Sequence, residues 1–215
     1  QSLVKKLQDN PKLLRLGGVT KRMTFLFSDI RGFTPISEKY QSNPQGLTEL
    51  INRFLDNQTE IILKHGGTID KFVGDAILIF FGDPDTNGPQ EDARKCIQMA
   101  LEMQKLMNQL SGYWSKNYSL KQDLKIRIGI NTGFCTVGNF GSLDRLDYTA
   151  IGSTVNLASR LESIAEAGSI IISEDTFALV NNFFTFKKPK NVKIKGFLRD
   201  IKCCLLYTSP SPRDS

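Results

Sequence analysis

The segment TIDKFVGDAILIFF, residues 68–81, restricts the possible folds more than any other part of the sequence. Two runs rich in β-branched and aromatic residues flank Gly74-Asp75, and such a dipeptide favours a tight turn between strands. The segment therefore predicts a β-hairpin. A strand predicted from Thr20 to Ser28 comes before it, and apolar residues at helical spacing predict a long amphipathic helix between the two, ending at Gly66-Gly67.

The rest of the chain continues this mixture of helices and strands. A second amphipathic helix is predicted from Pro89 to about Leu110, and a strand from Leu124 to Val137. The resulting order, βαββαβ, predicts an α+β fold with a ferredoxin-like, antiparallel-rich sheet and helices on one face. An additional C-terminal α/β section is predicted to contain a helix from Ser153 to about Glu166, a strand from Ile170 to Ile172, a helix from Glu174 to Val180 and strands between Val192 and Cys203.

The chain divides into three regions that differ in composition. Residues 1–18 mix leucines with charges and predict a helix or linker from an upstream region, so we expect sensor or regulatory domains in a longer parent. Residues 19–203 are predicted to form the single folded domain. Residues 204–215, CLLYTSPSPRDS, break off from a strand into Ser and Pro, and we interpret them as a non-native tail.

The amino-acid composition of the chain limits the classes of function that we expect. The chain has 28 Lys and Arg residues against 22 Asp and Glu, a net charge of +6, which suggests an anionic partner such as a nucleotide. The basic residues are scattered and lack the interleaved aromatic platform of nucleic-acid-binding surfaces, so we expect no nucleic-acid partner. The four cysteines show no CxxC spacing, and no apolar run is long enough to span a bilayer. These features predict a cytoplasmic domain and leave open a membrane-anchored parent.

Two carboxylates stand where the predicted fold would bring them together. Asp29 ends the first strand in FLFSDIRGFT, and Asp75 lies in the hairpin turn, so both would meet at one edge of the sheet. Adjacent aspartates repel each other unless a cation lies between them, and their hard oxygen atoms favour Mg²⁺ or Mn²⁺. Paired acidic residues that hold two metal ions serve displacement at phosphorus. The structural alternative is that Asp29 merely ends a strand and Asp75 merely occupies a turn.

Four ordered motifs, TFLFSDIRGFT, DKFVGDAI, IRIGINTG and LDYTAIGSTVNLASRLE, resemble the signatures of class III nucleotidyl cyclases. The resemblance covers about residues 19–203. It is greatest to the bacterial and cyanobacterial adenylyl cyclases, which share a subclass with bicarbonate-responsive soluble adenylyl cyclases. It implies a catalytic domain that converts ATP to 3′,5′-cyclic AMP and pyrophosphate with two metal ions per site, Mg²⁺ or Mn²⁺.

The same resemblance assigns expected roles to individual residues. Asp29 and Asp75 match the metal-binding carboxylates, and Ile30 matches a backbone carbonyl ligand. The other expected roles are purine reading by Lys71 and Thr149, phosphate contact by Arg127, orientation of the ribose and stabilisation of the transition state by Asn156 and Arg160, and contact with the terminal phosphates by Lys195.

Each of these further residues also has an ordinary structural explanation when it is taken singly. Strand propensity, helix capping and simple solvation of a charge could account for Lys71, Thr149, Arg127, Asn156, Arg160 and Lys195. Taken together as an ordered set, the residues favour the functional interpretation.

The expected purine readers favour adenine over guanine. Adenine offers an acceptor at N1 and a donor at N6, which suit a Lys71 ammonium and a Thr149 hydroxyl. Guanine reverses both groups, and the guanylyl cyclases that this motif resembles carry Glu where Lys71 stands. Guanine facing Lys71 would leave two donors unpaired, which costs about 1–3 kcal/mol when they are buried.

The family builds each site from two chains, with metal ligands from one and purine readers from the other. This chain carries both sets, so the resemblance implies a homodimer with two shared sites. One competing hypothesis is an inactive regulatory cyclase-like domain, which would have lost a metal aspartate, Asn156 or Arg160. Another is a palm-type polymerase or diguanylate cyclase, which would carry a GG[DE]EF-type hairpin in place of FVGDAI.

Overall fold

The computed structural model describes residues 17–142 and 145–207 of the 215-residue chain. A helix or linker was predicted for residues 1–18, and residues 1–16 of that prediction lie outside the described part of the chain. Within the described ranges the elements are β1 (Gly17–Ile30), α1 (Phe33–Lys39), α2 (Pro44–Lys64), β2 (Thr68–Val73), β3 (Ala76–Phe81), α3 (Pro89–Gln109), α4 (Tyr113–Asn117), β4 (Ile126–Ser142), β5 (Arg145–Ile151), α5 (Ser153–Ile164), β6 (Ile170–Ser173), α6 (Glu174–Val180), β7 (Lys190–Val192) and β8 (Ile201–Leu205).

The strands form one sheet in the order β2-β3-β1-β4-β6-β8-β7, and β5 pairs with β4. β1 and β4 pair antiparallel from Gly17 opposite Asn139 to Ile30 opposite Ile126. β3 pairs antiparallel with the other edge of β1, and β4 pairs parallel with β6. The sheet is mostly antiparallel and carries helices, which confirms the predicted α+β fold and the β2–β3 hairpin.

Alternation along β1 directs successive side chains into two cores. Leu26 packs in the larger core with α2 and α3, whereas its neighbour Phe25 packs in a second core with Val155 and Ala158 of α5. Helices therefore cover both faces of the sheet, and the prediction of helices on one face was wrong. The physical reason lies in β4, where Gly129 admits the close approach of α5.

The structure extends the folded domain beyond the predicted boundaries at 19 and 203. β1 begins at Gly17, and β8 includes Cys204, whose side chain is buried. Leu206 is also buried and belongs to the larger core. Residues 204–207 therefore pack as part of the domain because they bury apolar surface. Residues 208–215 of the predicted tail lie outside the described part of the chain.

Three elements were not predicted from the sequence: β5 and the short helices α1 and α4. The sequence does carry a strand signal for β5, because polar Arg145, Asp147 and Thr149 alternate with apolar Leu146, Tyr148 and Ala150, but the prediction overlooked this short run. Within residues 17–142 and 145–207, no helix has both the length and the apolar character needed to cross a membrane.

Candidate active site

The end of β1 holds Asp29 beside Arg127. The two residues lie opposite each other in the β1–β4 register, so their side chains project from the same face of the sheet. Arg127 donates from Nε to Asp29 Oδ1 at 2.7 Å and from Nη2 to Oδ2 at 2.9 Å, which makes a bidentate pair. This hydrogen bonding with Asp29 raises the pKa of Arg127. The expected phosphate-contacting arginine is thus the charge partner of the expected metal-binding aspartate.

Asp75 follows Gly74 in the turn between β2 and β3. Gly74 has a φ of 63°, a left-handed value that favours glycine. From this turn Asp75 reaches β1, where its Oδ2 accepts a hydrogen bond from the Ile30 backbone N–H at 3.0 Å. Burial raises the pKa of Asp75, the hydrogen bond from Ile30 lowers it, and the negative charge of Asp29 raises it. The structure therefore brings Asp29, Ile30 and Asp75 to one edge of the sheet.

A third carboxylate, Glu162 of α5, joins this edge and was not predicted. Its Oε1 lies 2.5 Å from Arg127 Nε, although that N–H is directed at Asp29. Burial, reinforced by the charge of Asp29, raises the pKa of Glu162 to about 8. The sequence does contain a signal for this residue. Glu162 falls at helical spacing from the buried Val155 and Ala158, so an acid occupies the buried side of α5.

The oxygen atoms at this edge suit a hard divalent cation. Among the described residues, no group of three or more His, Cys, Asp or Glu side chains is arranged to hold a metal ion. The expected ligand set is of another kind, two carboxylates and the backbone carbonyl of Ile30, whose buried side chain anchors that backbone in the core. Burial is the main cause of the raised pKa of Asp75, and the negative charge of Asp29 adds a smaller part, which a cation bound between the two carboxylates would relieve.

Glycine in β4 sets the position of α5. A Cβ atom at Gly129 would lie 2.1 Å from the Glu162 backbone nitrogen and 2.4 Å from the Ala158 carbonyl oxygen, so any other residue would push the helix away. At the start of the helix, Asn131 Nδ2 donates to the Thr154 carbonyl at 2.8 Å. The glycine and asparagine of the IRIGINTG motif therefore fix where α5 lies and how it begins.

This packing places Asn156 and Arg160 on the exposed side of α5, four residues apart. Lys195 is exposed in the turn between β7 and β8. The preceding residue, Ile194, is buried against Leu157 of α5 and so ties that turn to the helix. The three residues expected to act on ribose and phosphates are thus carried by one packed unit.

The two expected purine readers come from different strands and meet through one carboxylate. Thr149 Oγ1 of β5 donates to Asp70 Oδ2 of β2 at 2.9 Å, and Lys71 Nζ lies 3.2 Å from the same oxygen. The Lys71 side chain is 49% exposed and so remains accessible to a ligand. Asp70 was not predicted, because nothing in the sequence separates it from an ordinary exposed residue of an edge strand.

The structure gathers the nine predicted residues into three groups. One lies at the edge formed by β1 and the hairpin turn, one joins β2 to β5, and one is carried by α5 and the turn packed on it. Within the described part of the chain, no hydrogen bond or ion pair links a member of one group to a member of another. The group at the β1 edge is Asp29, Ile30, Asp75 and Arg127, and the group that joins β2 to β5 is Lys71 and Thr149. The group carried by α5 and its packed turn is Asn156, Arg160 and Lys195.

Comparison with known proteins finds similarity to nucleotide cyclases along most of the chain. The family model described as "Adenylate and Guanylate cyclase catalytic domain" matches residues 18–208. An adenylate cyclase of Anabaena cylindrica is 34% identical over 182 residues, which are 82% of this chain and 35% of that protein. The chain therefore spans about a third of the length of this curated relative.

Solved structures of an adenylyl cyclase and of a guanylyl cyclase both share the fold of this chain. The adenylyl cyclase CyaB from P. aeruginosa matches with a TM-score of 0.84 and 46% identity, over 93% of this chain and 100% of that chain. The guanylyl cyclase Cya2 matches with a TM-score of 0.82 and 34% identity, over 92% of this chain and 97% of that chain. Because one of these proteins is an adenylyl cyclase and the other a guanylyl cyclase, the fold alone does not select the nucleotide.

Proposed function

Because the chain belongs to the adenylate and guanylate cyclase catalytic domain family, we propose that it is the catalytic part of a longer adenylyl cyclase and converts ATP to 3′,5′-cyclic AMP and pyrophosphate. The observation that carries the choice of ATP is the Lys71–Thr149 pair. An ammonium, which can only donate, lies beside a hydroxyl whose proton is donated to Asp70. This pattern complements N1 and N6 of adenine and opposes N1 and O6 of guanine.

The carboxylates of Asp29 and Asp75 and the carbonyl of Ile30 would hold two Mg²⁺ or Mn²⁺ ions. Bound there, the ions would lower the pKa of the ribose 3′-hydroxyl and offset charge on the triphosphate. Arg127 holds both oxygens of Asp29, which fixes the orientation of that carboxylate before any ligand arrives. The same guanidinium offsets part of the negative charge of Asp29, Asp75 and Glu162 at the edge where phosphate would bind.

The ribose and the phosphates of ATP would be contacted by Asn156, Arg160 and Lys195. Arg160 would offset the charge that develops on the transferring phosphoryl group, as cationic clamps do. Asn156, one helical turn away, would orient the ribose. Lys195 would meet the terminal phosphates that leave as pyrophosphate. All three are exposed in the single chain, which supports a site completed by a second surface.

The second surface would be another copy of this chain. Strand alternation places Phe134 and Ile151 on the same face of the β4–β5 ribbon as Thr149, and these two apolar side chains are 69% and 50% exposed. Phe72 and Val73, which follow Lys71, are also exposed. Apolar side chains around the purine readers favour a covered interface. A homodimer would cover them and form two equivalent sites.

The direct test is cyclic nucleotide formation by the purified chain. ATP and GTP are supplied separately, with Mg²⁺ and with Mn²⁺, and products are resolved by chromatography. The proposal predicts cyclic AMP and pyrophosphate in equal amounts and little cyclic GMP. Predominant cyclic GMP would identify a guanylyl cyclase instead, and no cyclic product under any of these conditions would favour a regulatory domain.

A further inference from the structure

The carboxylate of Asp70 lies in a local irregularity of the sheet. In the β2–β3 register Ile69 pairs with Ile79 and Lys71 pairs with Leu78, so Asp70 is an extra residue in a β-bulge. Bulges re-aim a side chain, and here the aspartate points inward from an edge strand. Its side chain is 0% exposed, although its neighbour Lys71 is half exposed.

One oxygen of this buried carboxylate serves both expected purine readers. Oδ2 accepts the Thr149 hydroxyl at 2.9 Å and lies 3.2 Å from Lys71 Nζ, while Oδ1 is buried without a hydrogen-bond partner among the described residues. Burial raises the pKa of Asp70, and the Thr149 hydrogen bond and the Lys71 charge lower it. Asp147 is the other charged group that acts on it, and it raises the pKa.

The direction of the Thr149 hydrogen bond has a chemical consequence. A threonine hydroxyl has one proton and two lone pairs, so a free hydroxyl can rotate to donate to guanine O6 or to accept from adenine N6. When the proton is donated to Asp70, only the lone pairs remain for the base. Thr149 then accepts from adenine and offers nothing to guanine O6.

We propose that Asp70 is a positioning residue for base selection, which makes the Thr149 hydroxyl an acceptor only and anchors the Lys71 ammonium. This inference rests on the proposed function, in which Lys71 and Thr149 contact the purine. It adds that the preference for ATP depends on a side chain that does not itself touch the base.

The test compares four variants of the chain by the ratio of kcat/KM for ATP to that for GTP, with Mg²⁺. Asp70→Asn keeps the size of the side chain but can donate to Thr149, which frees the hydroxyl proton for guanine. We expect the ratio to fall at least about fivefold. In a Thr149→Val background the same Asp70 change should alter the ratio much less, because the hydroxyl it orients is absent. Asp147→Asn removes a neighbouring exposed charge from β5 and should keep the wild-type ratio.

Each outcome separates this inference from the proposed function. A wild-type chain that prefers ATP, together with a folded and active Asp70→Asn chain of unchanged ratio, would overturn the role of Asp70 alone. Equal effects of Asp70→Asn with and without the Thr149 hydroxyl would overturn the orientation of that hydroxyl by Asp70. A wild-type chain that makes no cyclic nucleotide would overturn the proposed function and this inference with it. If Asp70→Asn does not fold by circular dichroism, Asp70→Ala replaces it, because it removes the acceptor of the Thr149 proton and predicts the same fall in the ratio.

Discussion

At the scale of single residues, the proposed choice of nucleotide depends on which groups donate and which accept. Lys71 can only donate, and Thr149 already donates to Asp70, so the pair presents one donor and one acceptor to a base. Adenine matches this order and guanine does not. Because an adenylyl and a guanylyl cyclase share this fold, we attribute the choice of nucleotide to side chains and not to the backbone.

Exchanging the two readers should change the nucleotide preference. In Lys71→Glu with Thr149→Cys, the carboxylate accepts from guanine N1–H and N2–H, and the thiol donates weakly to O6. We expect the ratio of kcat/KM for ATP to that for GTP to fall at least about tenfold, or about 1.4 kcal/mol. Thr149→Ser is the matched control, because it keeps the hydroxyl and should keep the ratio. A double variant that remains active with the wild-type ratio would remove these residues from base recognition.

Removing either of the carboxylates proposed to bind metal should abolish turnover without unfolding the chain. Asp29→Ala and Asp75→Ala each delete a charged ligand and little core volume, so kcat with Mn²⁺ should fall at least about a hundredfold. The circular-dichroism spectrum and the dimer mass should stay near the wild-type values, although Asp29→Ala should melt at a lower temperature because Arg127 loses its bidentate partner. Asp56→Ala, an exposed carboxylate on α2, serves as control and should keep full activity. Near-wild-type turnover in either site variant would argue against metal binding at this edge.

At the scale of elements, the position of α5 connects the fold to the chemistry. The helix carries Asn156 and Arg160 outward and Glu162 inward toward Arg127. It reaches this position because Gly129 has no side chain to separate it from β4. We therefore expect a change in that contact to displace the helix from the carboxylate edge.

Gly129→Ala should accordingly harm both stability and activity. The added methyl group would overlap backbone atoms of α5 that cannot rotate away, so we expect a loss of about 1–3 kcal/mol in the free energy of unfolding. Activity at temperatures where the variant is folded should also fall, because Arg160 is displaced. Gly46→Ala is the comparison, since its Cβ would meet only the side chains of Asn43 and Tyr40. Urea denaturation and kcat measurements would check both parts, and an unchanged Gly129→Ala chain would contradict the account of α5.

The sequence predicted the helices, the strands and the motifs far better than the contacts between them. Periodicity and turn residues located the hairpin, α2 and α3, because those signals are local. The bulge at Asp70 could not be predicted, since it depends on the β3 partner, and neither could its hydrogen bond to Thr149, which is 79 residues away. The pairing of Asp29 with Arg127 required the β1–β4 register, which the sequence alone does not specify.

At the scale of the whole molecule, one chain holds every expected group but does not assemble them. The carboxylate edge, the purine readers and the exposed side of α5 form three groups without hydrogen bonds or ion pairs between them in the described residues. Exposed Phe134 and Ile151 beside Thr149 provide an apolar surface for a second copy. A two-fold dimer would bring the carboxylate edge of one copy to the purine readers and α5 of the other.

Mixing two inactive variants tests this central claim most directly. Asp29→Ala lacks a proposed metal ligand and Asn156→Ala lacks a proposed ribose contact, so we expect each homodimer to be inactive. In the heterodimer one site carries both defects and the other carries neither. Random exchange of equal amounts should therefore restore about a quarter of the wild-type rate of cyclic AMP formation. A mixture that stays inactive, although differently tagged chains are shown to form heterodimers, would contradict a site shared between two copies.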